Sequence, residues 1–235
     1  MPGESAPRRG ISLITVHHLN NSRSQRVLWL LEELGLEYQV ERYQRDSKTM
    51  LAPPELRRVH ALGKSPVITD GDNTVAESGA IVEYLIERHG NGRLAPARDS
   101  ADRLRYTYWL HYAEGSAMPP LLMSLVFNKV REAPAPFFIK PVVHGIVDKV
   151  MARFIRPQLK THLDFIESEL ARSAWFAGEE LSGADIQMSF PLEAAASRGG
   201  LDGSRPRSMD FLARIHARPA YQRALERGGP YQLMR

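Results

Sequence analysis

Residues 63 to 84 constrain the fold of this chain more than any other stretch. Ser65-Pro66 opens a short apolar run, Val67-Ile68-Thr69. A proline is tolerated there only at the first residue of a strand, at a bulge, or in cis. Asp70-Gly71-Asp72-Asn73 turns the chain back through Thr74-Val75-Ala76, so the segment reads as a hairpin. Glu77-Ser78 sits where the second strand ends and an amphipathic helix begins, with Ile81, Tyr84, Leu85 and Arg88 at helical spacing. A helix start presents unpaired backbone N–H groups and a positive dipole end. With a serine hydroxyl and a glutamate beside it, the position suits the carboxylate and the ammonium of one amino acid together.

The chain contains no cysteine, which excludes disulfides, thiolate metal sites and any mechanism using the protein's own sulfur. Sulfur chemistry here must arrive with a ligand. With 43% hydrophobic and 25% charged residues the composition is that of a globular protein, and no apolar run reaches the roughly 20 residues needed to span a bilayer. Residues 1–10, with Pro2, Pro7 and Arg8-Arg9, read as a loose tail on a soluble, cytoplasmic protein. The net charge of +4 is spread among acidic residues, and no Lys/Arg run is interleaved with aromatics, so neither a nucleic acid nor a membrane is an expected partner. The eight histidines are too scattered for a metal site.

Along the chain, residues 11–16 form a β-branched run read as a first strand, and Val27, Leu30, Leu31 and Leu34 mark a helix that Gly35 caps. Leu28 and Trp29 widen its apolar face, so it is expected to be covered on two sides. Residues 37–43 alternate as a second strand, and residues 53–59 start a short helix at Pro53-Pro54. The order strand, helix, strand, helix, strand, strand, helix makes a small mixed sheet with helices packed on it. Asn91-Gly92-Arg93-Leu94-Ala95-Pro96 breaks the pattern, and everything after it is helical in period. A long helix runs from about residue 100 past Pro119-Pro120 towards Val130, and a second spans residues 137–170 with a bend or break at Pro157. Ser182-Gly183-Ala184-Asp185 is a capping box opening a helix that Pro191 bends, and two short helices follow near residues 208–217 and 219–227. The expected organisation is a tail at 1–10, a first domain at 11–90, a linker at 91–98 and a helical domain at 99–235.

Five pieces in this order resemble one family: Ser22-Arg23-Ser24-Gln25-Arg26, Leu62-Gly63-Lys64-Ser65-Pro66-Val67, Ala76-Glu77-Ser78-Gly79-Ala80-Ile81, Leu181-Ser182-Gly183-Ala184-Asp185-Ile186 and Arg218-Pro219-Ala220-Tyr221. Across nearly its whole length the chain resembles a glutathione transferase. It is most similar to the fungal and bacterial branch that carries Ser-Arg where others place tyrosine, a match to which Glu114-Gly115-Ser116, Pro119-Pro120 and Ser189-Phe190-Pro191-Leu192 add. The resemblance implies an α+β thioredoxin-like N-terminal domain followed by an all-α C-terminal domain, and a homodimer with one glutathione site per subunit. It also implies glutathione as co-substrate, no metal, and a cis bond at Ser65-Pro66.

Carried over residue by residue, the resemblance implies that Ser78 and its N–H take the γ-glutamyl carboxylate and Glu77 the ammonium, against the plainer reading that the pair only caps the helix. The backbone of Ser65, next to Pro66, would pair with the cysteinyl part. Lys64 is placed for the glycine carboxylate, with Lys48, Arg45 or His60 assisting. For the sulfur, Ser22 is the first choice of donor, Asn21 an alternative, and Ser24 closer to a plain helix-start residue, while Arg23 adds positive charge and Arg26 is structural. No tyrosine ends the first strand, so tyrosine-type activation is not expected. The second substrate would be an apolar electrophile or a hydroperoxide near Tyr106, Trp109, His111, Tyr112, Ser116 and Met123, although such a stripe is more often core than pocket. The competing function is a glutathione-binding regulatory protein of the same fold without turnover.

Overall fold

The computed structural model describes residues 13–233, so the tail expected at 1–10 lies outside the described residues. The chain opens with β1 (Ile14–Leu19), α1 (Ser24–Leu34), β2 (Tyr38–Tyr43), α2 (Leu56–Val59), β3 (Val67–Asp70), β4 (Asn73–Ala76) and α3 (Ser78–His89). The strands lie in the order β2-β1-β3-β4, with β1 parallel to β2 and β3 antiparallel to both of its neighbours. Parallel neighbours need a crossover, and α1 supplies it. This is the thioredoxin-like arrangement that the resemblance implies, with Ser65-Pro66 in cis.

The first strand is displaced from its expected place. It begins at Ile14 and continues through His17 and His18 to Leu19, while residues 11 and 12 lie outside the described residues. Two histidines do not end a strand when the ladder continues beneath them, and here they stand opposite Glu41 and Arg42 of β2. Burial, helped by the charge of Arg42, pushes the His18 imidazole down to about 4, so it sits in the sheet as a neutral ring.

The remainder is helical: α4 (Ala101–Tyr112), α5 (Met118–Glu132), α6 (Lys140–Val150), α7 (Arg156–Leu170), α8 (Gly183–Ala194), α9 (Pro206–His216) and α10 (Pro219–Gly228). Wide π-helical turns at Ala113–Ala117, Met151–Ile155 and Ala195–Gly199 join α4 to α5, α6 to α7, and extend α8. The first two precede Pro119-Pro120 and Pro157, whose missing N–H groups release carbonyls one turn back. The bend expected at Pro157 is therefore a widened turn within one long rod. No helix among the described residues is long and apolar enough to cross a membrane.

Helix α1 is covered on two sides, as its wide apolar face requires. Trp29 and Leu28 are fully buried, and the Arg218 guanidinium of the α10 N-cap forks onto Glu33 at 2.5 and 2.9 Å. The aromatic stripe on α4 is core. Tyr106, Trp109 and Tyr112 are buried, Trp109 stacks on Phe165 with centroids 5.5 Å apart, and His111 faces outward.

The capping box of α8 is formed: Ser182 Oγ accepts from Ala184 N at 3.2 Å and Asp185 Oδ2 accepts from Ser182 N at 2.8 Å. Asp185 Oδ1 also takes the N–H of Phe176 at 2.8 Å. A Cβ on Gly183 would come within 2.6 Å of Ile86, 2.8 Å of Val82 and 2.9 Å of the Tyr106 hydroxyl, so only glycine seats α8 this closely on α3 and α4. Burial pushes the Asp185 carboxyl up to about 6, against the donors that favour its anion. A carboxyl whose pKa is raised by folding stabilises fully below its unfolded value of about 3.9, and that contribution is lost as pH rises through the folded value. We therefore expect the stability gap between wild type and Asp185→Asn, measured by urea unfolding, to be larger at about pH 4.5 than at about pH 7.5, by on the order of 1–2 kcal/mol.

Candidate functional site

Helix α3 starts directly where β4 ends, and its start is uncapped. Glu77, at the N-cap, has φ 68° and ψ 121°, and no side chain accepts a hydrogen bond from the first turn. A positive φ in a non-glycine residue costs about 1–3 kcal/mol and marks a position held by its surroundings. The reading in which Glu77 and Ser78 serve only as a cap does not describe this geometry. Ser78 is 3% exposed, and its Oγ accepts from Arg26 Nη2 and, at 3.4 Å, from Gln187 Nε2. Both neighbours bring donors, so the Ser78 hydroxyl hydrogen stays available to an acceptor.

Facing this helix start is a cleft of about 290 Å³ lined by Arg23, His60, Leu62, Lys64, Ser65, Pro66, Ala76, Glu77, Ser78, Glu114 and Leu122. Seven residues singled out from the sequence meet here: Arg23, His60, Lys64, Ser65, Pro66, Glu77 and Ser78. The Ser65 hydroxyl is committed to β1, donating to His17 O at 2.8 Å and accepting from Leu19 N at 3.3 Å, which leaves its backbone to the cleft. Lys48 and Arg45 are not among the lining residues. Asp46 Oδ1 holds the loop there, accepting from Lys48 N at 3.0 Å and Thr49 N at 2.7 Å, and Arg45 Nη1 donates to Met50 O at 3.0 Å. Nor does the cleft take its wall from the α4 aromatics; Glu114 and Leu122 stand there instead.

Ser22, the favoured sulfur donor, turns inward. Its Oγ lies 2.7 Å from Ser24 Oγ and accepts from Ser24 N at 3.2 Å, and Ser24 Oγ lies 2.9 Å from His18 Nδ1. Ser24 Oγ also has Leu19 O as an acceptor at 3.3 Å. The Ser22 and Ser24 hydroxyls thus satisfy one another, His18 Nδ1 and the end of β1 within the fold. Ser22 is 4% exposed, and its hydroxyl is bonded within the turn and not towards the cleft. Asn21, the alternative, has φ 50° and accepts from Gln232 N through Oδ1 at 2.7 Å.

Glu114, quoted from the sequence only for the family match, and Leu122, not named there, line the cleft without having been read as site residues. Glu114 lies in the π-turn after α4, where Arg23 Nε donates to both its oxygens at 2.9 and 3.0 Å and Arg26 Nη2 bonds Oε1. Burial raises the Glu114 carboxyl, but the charges of Arg26 and Arg23 and their hydrogen bonds outweigh it and hold it below the ordinary carboxylate range. Gly115 and Pro119-Pro120 inside a long helical period were the available signal of an irregular turn. Among the described residues no group of three or more His, Asp or Glu side chains is placed to hold a metal ion.

Residues 11–87 match the family model described as glutathione S-transferase, N-terminal domain, and residues 139–219 the model for its C-terminal domain. Glutathione S-transferase 1 of Saccharomyces cerevisiae is 36% identical over 195 residues, covering 80% of this chain and 83% of that protein. A solved glutathione S-transferase from Actinobacillus pleuropneumoniae superposes with a TM-score of 0.77 at 33% identity, over 92% of this chain and 93% of the other. A sphingomonad glutathione S-transferase complexed with glutathione shares the fold, with a TM-score of 0.67 at 24% identity over 92% of this chain and 98% of its own.

Replacing Glu114 by Gln leaves the buried Arg26 without its counter-charge, and the variant is expected to lose about 2–4 kcal/mol at pH 7. The carboxylate's folded pKa is depressed, so its contribution is present above the unfolded value of about 4.3 and is lost as pH falls through the folded value. Urea titrations of both proteins at neutral and acid pH should accordingly converge at the acid end.

Proposed function

The chain belongs to the glutathione S-transferase family, and from that premise we propose that it joins the sulfur of glutathione to small apolar electrophiles, with reduction of hydroperoxides by the same thiolate as a second outlet. The uncapped start of α3 carries this reading. There the first-turn N–H groups and the Ser78 hydroxyl hydrogen can meet one carboxylate while Glu77 meets the ammonium beside it. Lys64 and His60, lining the same cleft, suit the glycine carboxylate, and the backbone of Ser65 beside Pro66 suits the cysteinyl part.

The reaction needs a thiolate. A thiol of pKa about 8.5 is only ~3% ionised at pH 7, and lowering it to about 6.5 takes roughly 2.7 kcal/mol of preference for the anion. In this reading the turn before α1 provides it. The N–H groups of Ser22 and Arg23 have no hydrogen-bond partner among the described residues, Arg23 adds charge, and Asn21 offers its amide N–H₂. Ser22 then acts as a helix anchor and not as the sulfur's donor. The thiolate attacks the electrophilic carbon, the S–C bond forms, and the leaving group departs with its electron pair; Leu62 and Leu122, 60% and 51% exposed, offer apolar surface at the cleft. Within the same proposal the two domains, at 11–90 and 99–235, work as a cytoplasmic homodimer.

The inward Ser22 also favours a second reading, in which glutathione is bound without turnover. Calorimetry and a conjugation assay with a chlorodinitrobenzene separate the two. We expect wild type to bind and turn over, Glu77→Gln and Ser78→Ala each to weaken glutathione binding by about tenfold or more with kcat largely kept, and Ser22→Ala to lower Tm while leaving the bound thiol's pKa in place. Binding with no turnover would support the regulatory reading, and no binding at all would remove both.

A further inference from the structure

Beyond α10 the described residues stay on the protein surface. Residues 229–233 run back over the end of α8 to the β1–α1 turn and are fixed at three points. The Tyr231 hydroxyl donates to Glu193 Oε2 at 2.7 Å, Ser197 Oγ donates to Leu233 O at 3.3 Å, and Gln232 N donates to Asn21 Oδ1 at 2.7 Å. The anchor is strongly built. Glu193 also accepts from the Tyr221 hydroxyl and from His216 Nε2 at 3.1 Å, and its side chain is 9% exposed. Burial and the Glu193 charge raise the Tyr231 phenol, so it stays a donor at any working pH.

The third contact has a consequence at the turn. A side-chain amide can be flipped about its last bond, but a backbone N–H must meet an oxygen. Gln232 N therefore fixes which branch of Asn21 is Oδ1, and the N–H₂ branch is left facing the other way with no partner among the described residues. Asn21 stands two residues before Arg23, which lines the cleft, and the end of β1 just before it is bonded to Ser65. Its backbone is already held in the left-handed region at φ 50°, so the side chain leaves the turn in one set direction. From these observations we propose that the segment 229–233 is a positioning element of the active site: anchored by Tyr231 on Glu193, it clamps the Asn21 amide through the Gln232 N–H so that the amide's own N–H₂ serves the glutathione sulfur. The inference rests on the reading of the turn given under the proposed function.

Proline at 232 removes the N–H itself, whereas Gln232→Ala retains it. Asn21→Ala removes the proposed donor. The readouts are the pKa of bound glutathione, from ultraviolet titration of its thiolate, together with KM for glutathione, kcat and Tm. In Gln232→Pro the bound thiol's pKa is expected to rise by about one unit, with kcat near neutral pH falling severalfold to about tenfold. KM for glutathione should stay within about twofold, because the amino-acid clamp at Glu77 and Ser78 is untouched. Gln232→Ala should return the wild-type titration. Should the proline variant fail to fold, Tyr231→Phe, which loosens the anchor without altering residue 232, is expected to move the thiol in the same direction by a smaller amount. A merely structural tail would lower Tm in these variants and leave the thiol's pKa where it was, which overturns the proposal. If Asn21→Ala raises the pKa but Gln232→Pro and Tyr231→Phe do not, the tail's role falls and the donor stands. If Asn21→Ala leaves the thiol unmoved, the donor assignment falls and takes the tail's role with it.

Discussion

The cleft depends on one guanidinium. Arg26, on the inner face of α1, is 2% exposed and reaches Gln187 O of α8 at 2.6 Å, the Ser78 hydroxyl at the start of α3, and Glu114 in the turn after α4. Four elements that share no local sequence are thereby fixed to one rigid plane. A buried charge is costly unless paired and hydrogen-bonded, so each of those contacts is required by the others. A lysine, a point charge on a flexible stem, could not reproduce the fork. Because the Arg26 donor occupies one side of the Ser78 oxygen, the hydroxyl hydrogen is directed elsewhere, and a residue behind the cleft sets the polarity of one that lines it.

Charge in the cleft is divided along its length. At the turn before α1, Arg23 lies close enough to depress Arg45 and Arg198, each lowered first by burial and then by its charge, while Glu114 balances Arg23 and Arg26. At the other end Glu77 and Lys64 stand on the same wall with opposite signs. A thiolate is favoured by the first environment and a zwitterionic amino-acid end by the second. Under the proposed function one molecule meets both in a single orientation, and that orientation would position its sulfur.

How much of this was legible in the sequence follows from the range of the interactions. The hairpin, the helix start at Glu77-Ser78 and the capping box at Ser182–Asp185 are each determined by neighbours within a few residues, and proline, turn and cap chemistry reveal them. Glu114 was not legible as a site residue, since it meets Arg23 across 91 positions and Arg26 across 88. The α4 aromatics had a period that favours a core but also fits a pocket, and the packing of Phe165 and Phe176 on Trp109 decides for the core. Lys48 belongs to a loop whose course is set by Asp46, a local turn with no helical or strand period to announce it.

Ser22 shows the limit most clearly, because its immediate partners are local and its orientation still is not. Its Oγ meets Ser24 Oγ, which meets the His18 ring, and that ring lies against Gly228 far along the chain. With the hydroxyl bonded inward, the proposed function leaves the stabilising of a sulfur anion to groups already held in place: backbone N–H groups at a helix start, an arginine clasped by Glu114, and an amide whose flip is removed by the returning tail. Such donors need no reorganisation when charge develops beside them, and that preorganisation is worth more than a freely rotating hydroxyl. The inward serine is thus consistent with a reactive site, since it keeps rigid the turn on which the remaining donors are mounted.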